Sequence, residues 1–188
     1  MKWILFLAFI AASCNKIIPP PPYNKSEIAH QIIFRTAKRL SREMELIPIG
    51  FGAQMMDEVK MLKIAFQCRR PIDIEEGRKM LVYAANEFLR EINSDEKIRP
   101  YLGIYPFQPK NVEIAIFLQH PDGSDTNTDE LAVIVMRDGL LQYKCSDSRF
   151  SMFKLHEEAY EEACEILIEE GEVNENMDVL AGCYIMAS

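Results

Sequence analysis

The chain has 188 residues, with 21 Lys or Arg against 29 Asp or Glu, a formal net charge of −8 and a pI near 5.0. At 48% hydrophobic it is too apolar for a disordered chain, and its length suits one domain of ordinary size. The acidic balance argues against general nucleic-acid binding, because phosphates call for a basic surface.

Met1 and Lys2 form a short positive start, and Trp3 to Ala12 is an unbroken apolar run. A bilayer span needs about 20 apolar residues, so this run is too short for a mature membrane helix and fits the core of an export signal. Ala11-Ala12-Ser13-Cys14 resembles the lipobox of bacterial lipoprotein precursors. That resemblance implies cleavage before Cys14, diacylglycerol on its sulfur and an acylated amine. Ala11 stands where these precursors favour Leu, and Ser13 where they favour Gly or Ala. Ordinary cleavage near Ser13, leaving Cys14 as a thiol, is the alternative. More than one acyl chain would hold the protein on a membrane without spanning it. Asn15 replaces the Asp that marks inner-membrane retention in such precursors, which tilts the expected destination toward the outer membrane.

Residues 19–22 are four consecutive prolines, which favour a polyproline II spacer of ~3 Å per residue. Directly after an anchor, a spacer would lift a folded domain off the membrane. A proline-rich ligand for a recognition domain is the rival reading.

Asn24 with Glu27 fits a helix cap and its reciprocal partner. Ile28, Ile32, Ile33, Ala37, Leu40, Met44 and Ile47 continue at helical spacing, and Pro48, Gly50 and Gly52 are expected to end that helix and turn the chain. Arg35, Lys38, Arg39 and Arg42 fall on other faces, as a solvated surface or above anionic headgroups. Leu62, Ile64, Phe66 and Cys68 alternate as a strand does. Asp73 and Glu76 cap a second helix with an apolar stripe through Leu81, Ala85, Phe88 and Ile92. Val112 to Leu118 and Leu131 to Met136 read as strands, and Asp138-Gly139 as a two-residue hairpin turn into Leu140 to Cys145. Phe150 to Leu155 adds a further strand, and Ala159 to Ile168 a third helix that Gly171 ends. The expected fold class is α+β: an antiparallel meander of about four to five strands packed with about three helices. The expected organisation is a signal peptide at 1–13, an anchor and tether at 14–24, one domain at 25–172 and a tail at 173–188.

The stretch from Asp73 through Ile98-Arg99-Pro100-Tyr101-Leu102, Tyr105-Pro106-Phe107 and Asn111-Val112-Glu113-Ile114 is similar to an uncharacterised family of small exported or lipoprotein-like proteins from intracellular bacteria. The resemblance implies a bacterial envelope setting and adds no catalytic residue.

Candidate chemistry is sparse. His30, His120 and His156 lack partners at metal-ligand spacing, and the acidic run around His156, with Glu157, Glu158, Glu161 and Glu162, reads as a solvated helix face. Asp125, Asn127 and Asp129 match the first ligand positions of a calcium loop. Glu130 stands where the sharp turn needs Gly, and Met136 where the last ligand should be Glu, so a polar hairpin loop is the better account. No cofactor and no catalytic residue is expected. If Cys14 carries lipid, Cys68, Cys145, Cys164 and Cys183 allow three pairings, among them Cys164 with Cys183 and Cys68 with Cys145. Tyr101, Tyr105 and Phe107 lie among prolines on a long connection, either as contact anchors or folded back over a helix–sheet seam.

The function these features suggest is a membrane-anchored envelope module that binds a protein or another envelope component. An exported enzyme with a site assembled from scattered residues is the alternative. Charge is unevenly spread: residues 14–110 hold 16 basic and 12 acidic groups, and residues 111–188 hold 4 and 17. The half next to the tether is therefore mildly basic and the remainder strongly acidic.

Overall fold

The computed structural model describes residues 24–147 and 151–171. The expected export signal, Cys14 and the expected proline tether lie outside the described residues, as do Phe150, Cys183 and the C-terminal tail. Among the described residues, no helix is long and apolar enough to cross a membrane.

The first helix, α1 (Lys25–Glu43), starts where the Asn24 side chain accepts a hydrogen bond from the Ser26 N–H at 3.0 Å. It buries Ile28, Ile32, Ile33 and Leu40 along one stripe. The buried Thr36 satisfies its hydroxyl by donating to the Ile32 carbonyl. Glu45, at φ 55°, then redirects the chain.

Here the fold departs from the sequence expectation. Pro48, Gly50 and Gly52 do not form a turn but lie inside a strand, β1 (Ile47–Met55). Two features allow it. β1 is an edge strand, where a proline without an N–H is tolerated, and its register breaks between Pro48 and Gly50. Gly52 also lies under the Lys63 side chain, which a Cβ there would have to displace. The period of two through Ile47, Ile49, Phe51, Ala53 and Met55 was present in the sequence. A helical period that ended on Ile47 concealed it.

β2 (Val59–Cys68) pairs antiparallel with β1. α2 (Ile74–Ser94) follows, its first turn held by the Asp73 carboxylate accepting from the Glu76 N–H at 2.8 Å. β3 (Val112–Leu118) then lies parallel to β2. This pair makes the sheet mixed rather than a pure meander, because α2 crosses over the sheet where a hairpin would have reversed the chain. β4 (Leu131–Arg137), β5 (Leu140–Ser146) and β6 (Met152–Ala159) complete an antiparallel series. Asp138 (φ 53°) and Gly139 (φ 76°) form the tight turn between β4 and β5, as expected. The result is an α+β fold, with three α-helices and one sheet of six strands in sequential order among the described residues.

α3 (Tyr160–Glu169), with Ala159 at its N-cap, begins where the sequence places the third helix. His156, Glu157 and Glu158 therefore sit on β6, not on a helix start, and the acidic run is split between two elements. Their side chains alternate between faces instead of sharing one solvated surface.

All three helices pack on one face of the sheet. α1 meets β1 and β2, α2 meets β3 to β5, and α3 meets β5 and β6. Phe66, Ile116, Ile134, Met136 and Leu141 point into this layer against Ile32, Leu81, Phe88 and Leu167, all but Leu167 wholly buried. Each such side chain contributes about 1.5–3 kcal/mol through burial. Gly77 lets α2 approach most closely: a Cβ there would stand 3.2 Å from Tyr143 Cε1 and 3.4 Å from Ile134.

Candidate interaction surface

Strand alternation sends every second residue to the other side of the sheet. There Lys63 pairs in register with Glu113, Ala65 with Ala115, Ala115 with Val135, Phe117 with Val133, and Val133 with Lys144. None of the three helices covers this side. Phe117 is 41% exposed at its centre. Val133 and Val135 are nonetheless buried, sheltered by the long side chains around them.

An ion pair braces the same surface. Arg137 donates from Nε to Glu113 Oε2 at 3.0 Å and from Nη2 to Oε1 at 2.7 Å, bridging β3 and β4 with a bidentate contact. Lys63 and Lys144 flank the apolar centre. Among the described residues Lys63 has no ion-pair partner. Lys144 helps Lys154 and Gln142 hold the Glu157 carboxyl below the usual carboxylate range, the hydrogen bonds from Lys154 and Gln142 being the main causes. Together these residues line a shallow groove of about 480 Å³ that runs from Phe51 to Met152. Sequence periodicity contained the alternation behind this surface, but not that, among the described residues, all helices lie on the other face.

A second polar constellation lies on the helix side and was not foreseen. The Glu158 side chain is 1% exposed. Arg78 Nε donates to both its carboxylate oxygens at 3.0 Å, and Arg78 Nη2 approaches Oε2 at 3.0 Å. The Tyr143 hydroxyl donates to Oε1 at 2.5 Å, and His156 Nε2 lies 3.7 Å from Oε2. The acceptor positions of this carboxylate are thus taken by α2 and β5. The group ties three elements together and has little left to offer as a general base. Nearby, the Tyr160 hydroxyl donates to Asn86 Oδ1, while Asn86 Nδ2 is buried with no hydrogen-bond partner among the described residues.

Burial and the bond to Glu158 push the Tyr143 hydroxyl far up. Burial and Glu43 push Tyr83 up to about 12. Burial also raises the Cys68 and Cys145 thiols. In the unfolded chain thiols ionise at about 8.5 and tyrosines at about 10. The folded chain holds these protons longer, so their contribution is complete below those values and is lost as pH rises past them. The urea midpoint is therefore expected to hold steady up to about pH 8 and then fall, most steeply above about pH 10. A Tyr83→Phe, Tyr143→Phe double variant should lose the steep part; an unchanged slope would refute this assignment.

The other residues singled out in the sequence are placed as follows. Phe107 is buried, its backbone gripped by Asn93 through bonds of 2.7 and 3.0 Å. Tyr101 packs partly against the core. Tyr105 alone of the three is exposed, beneath the Arg99 guanidinium at 4.5 Å. The connection thus covers the helix–sheet seam, with Tyr105 at its surface.

Asp125 accepts weakly from Gln119 at 3.4 Å, and Asn127 donates twice to Glu130 Oε2, at 2.7 and 3.0 Å. His120 Nε2 lies 3.1 Å from the same Glu130 oxygen. Asp129 is exposed in this loop. Among the described residues, no group of three or more His, Cys, Asp or Glu is gathered to hold a metal ion. Cys68 and Cys145 are buried free thiols among the described residues, and Cys164 is buried on α3. A Cys68–Cys145 bond is excluded by topology, since β3 and β4 intervene; three strand spacings make about 14 Å, twice the reach of a disulfide.

No protein-family model, curated protein or solved structure matches the chain.

Proposed function

We propose that the protein is an exported, lipid-anchored component of a bacterial envelope, and that its domain is a binding module whose contact surface is the face of the sheet opposite the three described helices. The observation that supports the binding reading is the asymmetry of the layers. Three helices occupy one side, while Phe117, Lys63 and Lys144 surround an apolar centre on the other. An apolar surface rimmed by polar groups favours an interaction site over inert exterior. The anchoring part of the reading rests on Ala11-Ala12-Ser13-Cys14 and the prolines that follow. Cys14 would carry the lipid, the tether would give clearance, and the outer membrane is the favoured location.

Two measurements test the two parts separately. Mass analysis of the mature N-terminus should find acylated Cys14; an intact Met1 or an unmodified Cys14 would overturn the anchor. A photo-crosslinking residue at Phe117, introduced in the full chain in its native host, should yield a discrete adduct. The same residue at Glu161 on α3 should not. Equal labelling from both positions would remove the sheet face as the contact surface.

A further inference from the structure

We infer that the rim formed by α1 and β1 is a second contact surface, and that it docks on an anionic membrane. This deepens the anchored-module reading, since a tethered domain meets the membrane that holds it, but it does not require Cys14 to carry lipid. Phe34, Ile49 and Phe51 are 57%, 53% and 51% exposed and lie together at the open edge of the molecule. The Phe34 and Phe51 rings touch, with centroids 5.1 Å apart, and His30 meets Phe51 edge-on at 5.8 Å. Two large aromatic rings have thus turned toward each other and toward solvent rather than into the core.

Charge surrounds this apolar point. Lys38 stands on the α1 side of Phe51 and Lys63 on the sheet side. Neither takes part in an ion pair among the described residues. Two of the three α1 arginines differ: Arg35 is held by Glu91 and Asp95, and Arg39 by Glu87 and Glu91. Lys38 and Lys63, beside the exposed rings, therefore keep their charge available. Apolar side chains that reach the acyl boundary, flanked by lysines at headgroup level, are the pattern by which a surface binds anionic lipid.

A peptide strand suits this edge poorly. Pro48 removes a backbone donor, and the β1 register breaks twice, between Pro48 and Gly50 and between Gln54 and Met55. A lipid surface needs no backbone pairing. The rim also belongs to the half of the chain with the basic excess. Its lower end adjoins the start of α1, where the Lys25 ammonium donates to the Asp57 carbonyl at 2.9 Å in the β1–β2 turn. The tether would therefore deliver this edge, rather than α3, to the membrane.

The test is co-sedimentation of the full chain with vesicles of phosphatidylcholine alone or mixed with phosphatidylglycerol. Differences between variants isolate the rim from the apolar N-terminus, which all of them share. Wild-type chain should bind the anionic vesicles more tightly, and more so at low salt. Phe34→Asp with Phe51→Asp should lower that binding about tenfold, and Lys38→Glu with Lys63→Glu should do so about equally while abolishing the salt dependence. Both pairs are surface positions, and circular dichroism checks that each variant folds. In a Trp3→Phe background, Phe51→Trp should shift to the blue and be quenched by brominated lipid. Equal binding by wild type and both double variants, or an unquenched Trp, overturns the proposal. So does Phe51-dependent dimerisation in solution without vesicle binding, which would assign the rim to a second copy. N-terminal mass decides the anchor independently of these results.

Discussion

Replacing Glu158 by Ala should cost about 3–5 kcal/mol, because it strands the Arg78 guanidinium in the helix–sheet interface without a counter-charge. The same variant leaves the Tyr143 hydroxyl without its acceptor. Domains of this size are commonly stable by only 5–15 kcal/mol in total, so the urea midpoint should fall far or the chain should fail to accumulate. Arg78→Met should be similarly harmful, since it abandons a buried carboxylate. The informative case is the double variant Arg78→Met, Glu158→Leu. Two well-packed apolar side chains remove both desolvated charges, so stability should recover most of the loss, short of the wild type by about 1–3 kcal/mol for the Tyr143 hydroxyl still left without its acceptor. A double variant as weak as either single one would show that the pair is net stabilising here, contrary to this expectation. Tyr143→Phe should cost less, about 1–3 kcal/mol, because only one hydrogen bond to a charged group is lost.

Gly77→Leu should be the second most damaging change. An exposed glycine in a helix could be replaced with a gain of up to about 1 kcal/mol in helix propensity. Gly77 is not exposed: even a methyl group would stand 3.2 Å from the Tyr143 ring. That ring cannot yield easily, because its hydroxyl is held by Glu158 and its edge by the core. Leu must therefore lift α2 from β4 and β5, at a cost of about 1–3 kcal/mol for overpacking plus disturbance of the Arg78–Glu158 contact one residue along. Gly77→Ala should still be destabilising despite its better propensity. Thermal unfolding of the two variants checks the order. A Gly77→Ala protein more stable than wild type would mean that the interface is softer than this geometry requires.

Much of the local structure was legible. Asn24 and Asp73 accept the expected first-turn hydrogen bonds, the stripe from Leu81 to Ile92 is buried, and Asp138-Gly139 turns the hairpin. β1 was missed because Ile47 continued a helical period, so that Pro48 and the glycines looked like an ending. The Glu158 site was missed for a different reason. Within a run of acidic residues its type and spacing match those of a solvated helix, and nothing local distinguishes it from Glu157 or Glu161. Its partner Arg78 lies 80 residues away.

By itself the sequence determined where most helices and strands form and how most of them start and stop. These depend on caps, periodicity and turn residues that act within a few positions. Only the tertiary structure decided that β2 and β3 run parallel, that all helices share one face, that Glu158 is buried, and that Phe51 emerges between Lys38 and Lys63. Those outcomes depend on which distant segments compete for the same apolar surface, and a crossover such as α2 selects them after the local elements are formed.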